Sequence, residues 1–282
     1  MTSDELERRF VEWAQSRDDV RAAAVLGSRA RTERPADEWS DLDVLVVARE
    51  PAFLLQNSDW VRELGAARIT FVEPTATGEG LERRVLYDGG VDVDFSIVGV
   101  DELDGLSSDA EVDDVVRRGI RVLVDKDGRL SRLDARRPMA SVAWTPPSQE
   151  AFEELTSDFW YDALWAAKKL RRGELFTAKA AVDIYMKRLL LRALEWHAHA
   201  LDPTVDTWHA GRFLEQWADP RALDELRETF ARYDENEVPA ALLATMRLFR
   251  RLMAETAERL DLAYARDEDA YATALVAELL ER

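Results

Sequence analysis

Apolar positions over the first 130 or so residues follow two rhythms. Leu6, Phe10 and Trp13 recur at helical spacing, which predicts a helix over 3–16 with Ser3 as its N-cap and Glu5 and Glu7 in or near the first turn. Short apolar runs then predict strands at 20–27 (VRAAAVLG), 42–47 (LDVLVV), 68–73 (RITFVE), 91–98 (VDVDFSIV) and 120–125 (IRVLVD). The paired glycines of LYDGG (86–90) predict the turn before the fourth of these, because glycine accepts positive φ at little cost. SSDAEVDDVVRRG (107–119) reads as a helix closed by Gly119. Strands interleaved with helices indicate an α/β domain.

The pattern changes after ARRPMASVAWTPPSQ (135–149), where Pro138, Pro146 and Pro147 interrupt the chain. The organisation expected is a first domain over 1–135, a linker over 136–147 and an all-α helical bundle over 148–282. Its helices are predicted from the N-cap Ser148 to Arg172, ended by Gly173, then over 175–200, 220–233, 238–261 and 267–281. In the second of them Val182, Met186, Leu189, Leu190, Ala193, Leu194 and His197 share a buried face, which makes His197 a core residue. WHAGR (208–212) is expected to cap the following helix, with no chemistry assigned.

Composition narrows the function. The 282 residues, 47% apolar and 33% charged, suffice for two globular domains. No apolar stretch approaches the roughly 18 residues that span a bilayer, and the acidic amphipathic start lacks a secretory pattern, so a cytoplasmic protein with no membrane partner is expected. The absence of cysteine excludes disulfides, thiolate zinc sites and cysteine nucleophiles, and three histidines leave little for an imidazole metal site. A formal charge of −18 argues against a nucleic-acid partner, which calls for clustered Lys and Arg. Such a field draws small cations into an acidic cleft. Selection for solubility produces the same charge, so charge alone decides nothing.

The candidate chemistry lies in VLGSRARTERPADEWSDLDVLVVARE (25–50). Asp41 and Asp43 share one face of a strand while Leu42 and Val44 point into the core. Two adjacent carboxylates repel, and a divalent cation such as Mg2+, held by one or two carboxylates and substrate phosphates, is the fitting compensation. Judged on D-x-D alone, a hydrated strand end is favoured. The upstream turn changes the weighing: Gly27 lets backbone N–H groups approach a phosphate, the Ser28 hydroxyl adds a donor, and Arg29 and Arg31 are placed to pair with phosphate oxygens. Asp92 and Asp94, on one face of another strand, offer a third carboxylate.

GSRA followed by SDLDVLVV resembles the G-S…D-x-D signature of the nucleotidyltransferase superfold shared with DNA polymerase β. The longer run GSRARTERPADEWSDLDV, with LYDGGVDVDFSI, VLVDKDG, FWYDALWAAKKLRRGELF and KRLLLRALEW, is similar to the aminoglycoside 6-adenylyltransferases that inactivate streptomycin, in the same order over most of the chain. The resemblance implies a mixed sheet with flanking helices in the first domain and transfer of AMP from ATP to a streptomycin hydroxyl. It implies that Asp41, Asp43 and Asp94 hold Mg2+ and form the catalytic set, that Gly27 and Ser28 hold the β and γ phosphates, and that Asp94, before Phe95 and Ser96, accepts the hydroxyl proton. Asp92 is the second choice for the third carboxylate.

In the helical half, Asp158, Asp162 and Trp165 fall on one helical face, suited to an aminoglycoside's cationic groups or, equally, a solvated acidic stripe over a core tryptophan. Lys168 looks like the family's lysine for the triphosphate. Asp183 and Lys187, four apart, form a surface ion pair or, on the resemblance, place Lys187 on a phosphate and Asp183 on the aminoglycoside. A monomer is expected. Rival readings are an adenylyltransferase of the same fold for another small molecule or a protein hydroxyl, and a non-catalytic nucleotide-binding or antitoxin-like module.

Overall fold

A computed structural model describes residues 1–31, 36–75, 80–103, 115–130, 144–207 and 209–281. The chain divides into two compact units, Met1–Val142 and Ala143–Arg282. Residues 136–143 of the expected linker, 107–114 of the expected helix before Gly119 and Trp208 of WHAGR lie outside the described residues, while 115–118 are helical.

The first unit opens with α1 (Ser3–Ser16), whose cap lies one residue earlier than expected: Thr2 Oγ1 accepts from the Glu5 N–H. Strands follow at β1 (Val20–Leu26), β2 (Leu42–Ala48), β3 (Ala67–Pro74), β4 (Leu81–Tyr87), β5 (Val91–Gly99) and β6 (Ile120–Asp125). They form one six-stranded sheet in the order β3-β4-β5-β2-β1-β6. Among the described residues only the pair β2 and β5 is parallel, so the sheet is mixed, as the resemblance implied.

Two-residue alternation sends Leu42, Val44 and Val46 of β2 and Val93, Phe95 and Ile97 of β5 into one core with Leu6, Phe10 and Trp13 of α1. The ring of Trp13 stacks on Trp60 at 4.9 Å, and Trp60 meets Phe95 edge-on at 4.9 Å. Leu45 and Val47 point to the opposite face, against Ala22, Ala24, Leu103 and Leu130. Asp43 and Asp94 belong to that opposite face by the same alternation.

In the first unit, three elements depart from the sequence expectation. Two short helices, α2 (Pro51–Gln56) and α3 (Asp59–Leu64), stand between β2 and β3. Strand β4 occupies a stretch read only as the approach to a turn. Its consecutive Arg83 and Arg84 hide the alternation, because Arg83 points inward and satisfies the carbonyls of Leu54 and Leu55 near the end of α2.

The second unit is helical: α4 (Gln149–Arg171), α5 (Leu175–Ala180), α6 (Met186–Leu201), α7 (Leu214–Trp217), α8 (Pro220–Arg227), α9 (Glu237–Leu260) and α10 (Arg266–Glu281). Ser148 Oγ caps α4 and Gly173, at φ +72°, follows its end. A π turn, Ala181–Tyr185, joins α5 to α6 within the helix expected to run unbroken over 175–200. The helix expected over 220–233 stops at Arg227. Phe152, Phe159, Trp160, Met186, Leu190, Leu242 and Phe249 build the core. His197 is buried there, with Nε2 2.8 Å from Glu255 Oε2. Among the described residues no helix is long and apolar enough to cross a membrane.

Candidate active site

Parallel pairing of β2 with β5 sets Asp43 beside Asp94 in register, and antiparallel pairing of β4 with β5 sets Arg84 on the other side of Asp94. Register partners share a face, so a row of Arg84, Asp94 and Asp43 crosses three strands. Asp41 lies just before β2. One carboxylate oxygen from each of Asp41, Asp43 and Asp94 lies within 4.8 Å of the others. The donor set is all hard oxygen, which suits Mg2+ and excludes a soft-metal preference.

The turn beyond β1 faces this cluster. Gly27 has φ +64°, and a Cβ built on it would stand 2.5 Å from Asp43 Oδ2. Only glycine therefore lets this backbone lie against the carboxylate. Ser28 is buried, and its Oγ has no hydrogen-bond partner among the described residues. An orphaned hydroxyl beside clustered carboxylates fits a ligand that accepts hydrogen bonds, as a phosphate does. Arg29, expected on phosphate, turns instead along the loop: Nε donates to Asp41 O at 3.0 Å, and Nη2 to Ser40 O at 2.8 Å and Asp37 O at 3.3 Å. Its observed work is to fix the loop that delivers Asp41.

The same loop is tied by Asp37, whose carboxylate accepts from Ser40 Oγ and the Trp39 N–H. Those bonds hold the Asp37 carboxyl below its usual range. Trp39, two residues before Asp41, is 86% exposed. Gly119 backs the turn from behind, where a Cβ would stand 2.9 Å from Arg31 N and 3.0 Å from Ala30 C.

Asp94 is the most enclosed of the three carboxylates. Burial pushes its carboxyl up, the Arg84 guanidinium pulls it back, and the charges of Asp92 and Asp41 add to the rise. Arg84 donates Nε to Oδ1 and Nη2 to Oδ2, both at 2.8 Å, and Nη1 to Glu73 Oε1 at 3.1 Å. These carboxylates raise the guanidinium's own hold on its proton, the Asp94 hydrogen bond foremost.

In the helical unit, Asp158 is exposed and Asp162 half-buried, with its carboxyl pushed up by burial and then by Asp158. Lys169 Nζ lies 5.4 Å from the Trp165 ring, so that face already has a cation of its own. Lys168 is exposed. The expected pairing of Asp183 with Lys187 is replaced: Asp183, inside the π turn, pairs with Lys179. Lys187 Nζ donates to Thr229 O at 2.9 Å, Thr245 Oγ1 at 3.1 Å and Val182 O at 3.3 Å, and lies 4.9 Å from the Phe230 ring. Burial pushes this ammonium down to about 8.

Sequence reasoning passed over Arg84, Trp39 and the role of Gly119. Arg84 carried one usable signal, a basic residue closely preceding an acidic strand.

A family model described as Streptomycin adenylyltransferase matches residues 1–279. An aminoglycoside 6-adenylyltransferase of Bacillus subtilis (strain 168) is 22% identical over 264 residues, covering 90% of each chain. One from Campylobacter jejuni is 20% identical over 265 residues, covering 90% of this chain and 88% of the relative. A crystal structure of an aminoglycoside 6-adenyltransferase from Bacillus subtilis superposes with a TM-score of 0.47 at 17% identity, covering 99% of each chain.

Proposed function

This chain belongs to the streptomycin adenylyltransferase family, and we propose that it transfers AMP from ATP to a hydroxyl of streptomycin, with Mg2+ bound and pyrophosphate released. The observation that carries the reading is the convergence of Asp41, Asp43 and Asp94 beside the Gly27–Ser28 turn. The chain is an adenylyltransferase by family, with ATP as the nucleotide. The acceptor, the metal and the residue roles are our assignment.

Asp41, Asp43 and Asp94 would hold the divalent ions. Bound there, Mg2+ would neutralise phosphate charge and make the acceptor hydroxyl more acidic. Gly27 brings backbone N–H groups close, and Ser28 Oγ supplies a hydroxyl donor to the β and γ phosphates. Asp94, whose proton affinity is raised by burial, takes the acceptor's proton. The bond from acceptor oxygen to the α-phosphorus forms as the bond to pyrophosphate breaks, and pyrophosphate leaves with the electron pair. Trp39, which follows Asp37, a carboxylate held ionised by its hydrogen bonds, offers a π face in a negative setting, which favours a guanidinium or ammonium group over a neutral ring. Asp158 and Asp162 give the helical unit an acidic face of its own, although Lys169 already occupies the Trp165 ring beside it, and Lys168 is exposed on the same helix. Lys187 is assigned to the fold rather than to phosphate, because its three N–H groups already have internal acceptors.

The test is pyrophosphate release from ATP and Mg2+ with streptomycin, spectinomycin or kanamycin, followed by mass spectrometry of the antibiotic. A gain of one AMP on streptomycin alone supports every part. ATP binding without release on any aminoglycoside removes the acceptor assignment and favours a non-catalytic nucleotide-binding role.

A further inference from the structure

Both oxygens of Asp94 are engaged by a single guanidinium, and that guanidinium lies in the same cross-strand row as Asp43. A carboxylate has about four lone-pair positions, so a forked arginine uses two and leaves two. Any cation drawn to Asp41, Asp43 and Asp94 must therefore use what Arg84 leaves and face its positive charge. Arg84 is itself held in a carboxylate surround: Glu73 accepts from its Nη1, and Asp92 acts on its charge. Glu82, on the same strand, has its carboxyl pushed up by burial and then by the charge of Asp94. The fork can neither leave cheaply nor be neutralised, since arginine stays protonated in proteins.

We propose that Arg84 is a built-in counter-cation of the carboxylate cluster: it shares Asp94 with the divalent ion, weakens the protein's own hold on that ion, and so makes ion binding depend on the phosphates of ATP. The inference rests on the metal assignment made above and deepens it. A cluster of three carboxylates with no opposing charge would bind a divalent ion unaided. With Asp94 matched by arginine, the charge left to hold an ion is smaller, and the nucleotide's phosphates supply further ligands. Arg84 is a positioning residue in this account, since it acts through Asp94.

The test is Mn2+ binding, followed by electron paramagnetic resonance of the free ion, on the full chain with and without a non-hydrolysable ATP analogue. The parent is expected to bind Mn2+ weakly alone and more tightly with the analogue. Arg84→Gln is expected to bind Mn2+ alone roughly tenfold more tightly, because it removes a unit positive charge hydrogen-bonded to Asp94. Its thermal midpoint should also rise more on Mn2+ addition than the parent's. Arg84→Lys keeps the charge and should stay within about threefold of the parent, and it covers the case in which the glutamine variant does not fold. An Arg84→Gln affinity equal to or weaker than the parent's, or an Arg84→Lys affinity raised tenfold, overturns the inference while leaving the metal site standing. A parent that binds no Mn2+ even with the analogue overturns the metal assignment and the inference with it.

Discussion

Replacing Gly27 by alanine separates the two demands the structure makes at that position. The first is conformational: Gly27 sits at φ +64°, where an L-residue costs about 1–2 kcal/mol. The second is steric: the new Cβ would meet Asp43 Oδ2 at 2.5 Å. Rotation of the carboxylate relieves that contact at small energetic cost, so the second demand appears in chemistry rather than in stability. A displacement of about 1 Å in a reacting constellation costs on the order of 100-fold in rate. Gly90 provides the control, because it also has positive φ, +81°, yet a Cβ there meets nothing within 4 Å. Both variants should lose a similar amount of stability, roughly 3–10 °C in thermal midpoint for a unit of this size. Only Gly27→Ala should lose turnover, by roughly 100-fold, together with Mn2+ affinity in the presence of nucleotide. The measurements are thermal melts, pyrophosphate release and Mn2+ titration on both proteins. Equal turnover in Gly27→Ala and Gly90→Ala would refute the claim that the turn and Asp43 form one site.

Asp41→Asn and Asp43→Asn should each reduce turnover by orders of magnitude while the thermal midpoint holds or rises, since each removes a proposed metal ligand and also relieves carboxylate repulsion; near-parent activity would remove them from the site. Gly119→Ala forces backbone of residues 30 and 31 to move, and should weaken ATP binding several-fold in a nucleotide titration; an unchanged affinity would show that the turn does not hold nucleotide. Lys187 binds its proton less firmly in the folded chain, at about 8 against an ordinary 10.5. Its contribution is therefore fully present above about pH 10.5 and lost as pH falls through about 8. Urea melts of the parent and of Lys187→Met should diverge in the parent's favour between pH 8 and 10, and a gap that is flat or narrows over that range would place the ammonium in solvent.

The strands whose apolar runs alternate or are continuous were legible: 42–47 and 91–98 have their carboxylates on one face because the pleat has period two, and Asp43 and Asp94 meet for that reason. Their adjacency across a parallel pair was not readable, since pairing depends on the sheet order and not on local pattern. Strand β4 was hidden because burial of Arg83 is set by carbonyls of α2, a tertiary circumstance with no periodic trace. The pairing of Asp183 followed helical spacing on paper and failed at the π turn, where one added residue per turn rotates the partners. The Gly27 requirement was half legible: a glycine after a strand signals a turn, whereas its contact with Asp43 needs the fold.

The order of strands in the sheet also has a kinetic meaning. Strand β1, which carries the Gly27–Ser28 turn, is flanked by β2 and by β6, and β6 is made about a hundred residues after it. Asp94 likewise joins Asp43 only when β5 has docked in parallel, a pairing no hairpin can supply. On the ribosome the nascent chain must hold an apolar, half-built sheet until residue 125 has emerged from the exit tunnel, and such long-range closure is slow. The helical unit is synthesised only afterwards. The first unit can therefore have Asp41, Asp43 and Asp94 assembled while the second is still being translated, and the interval before β6 arrives is when the chain is most exposed to aggregation.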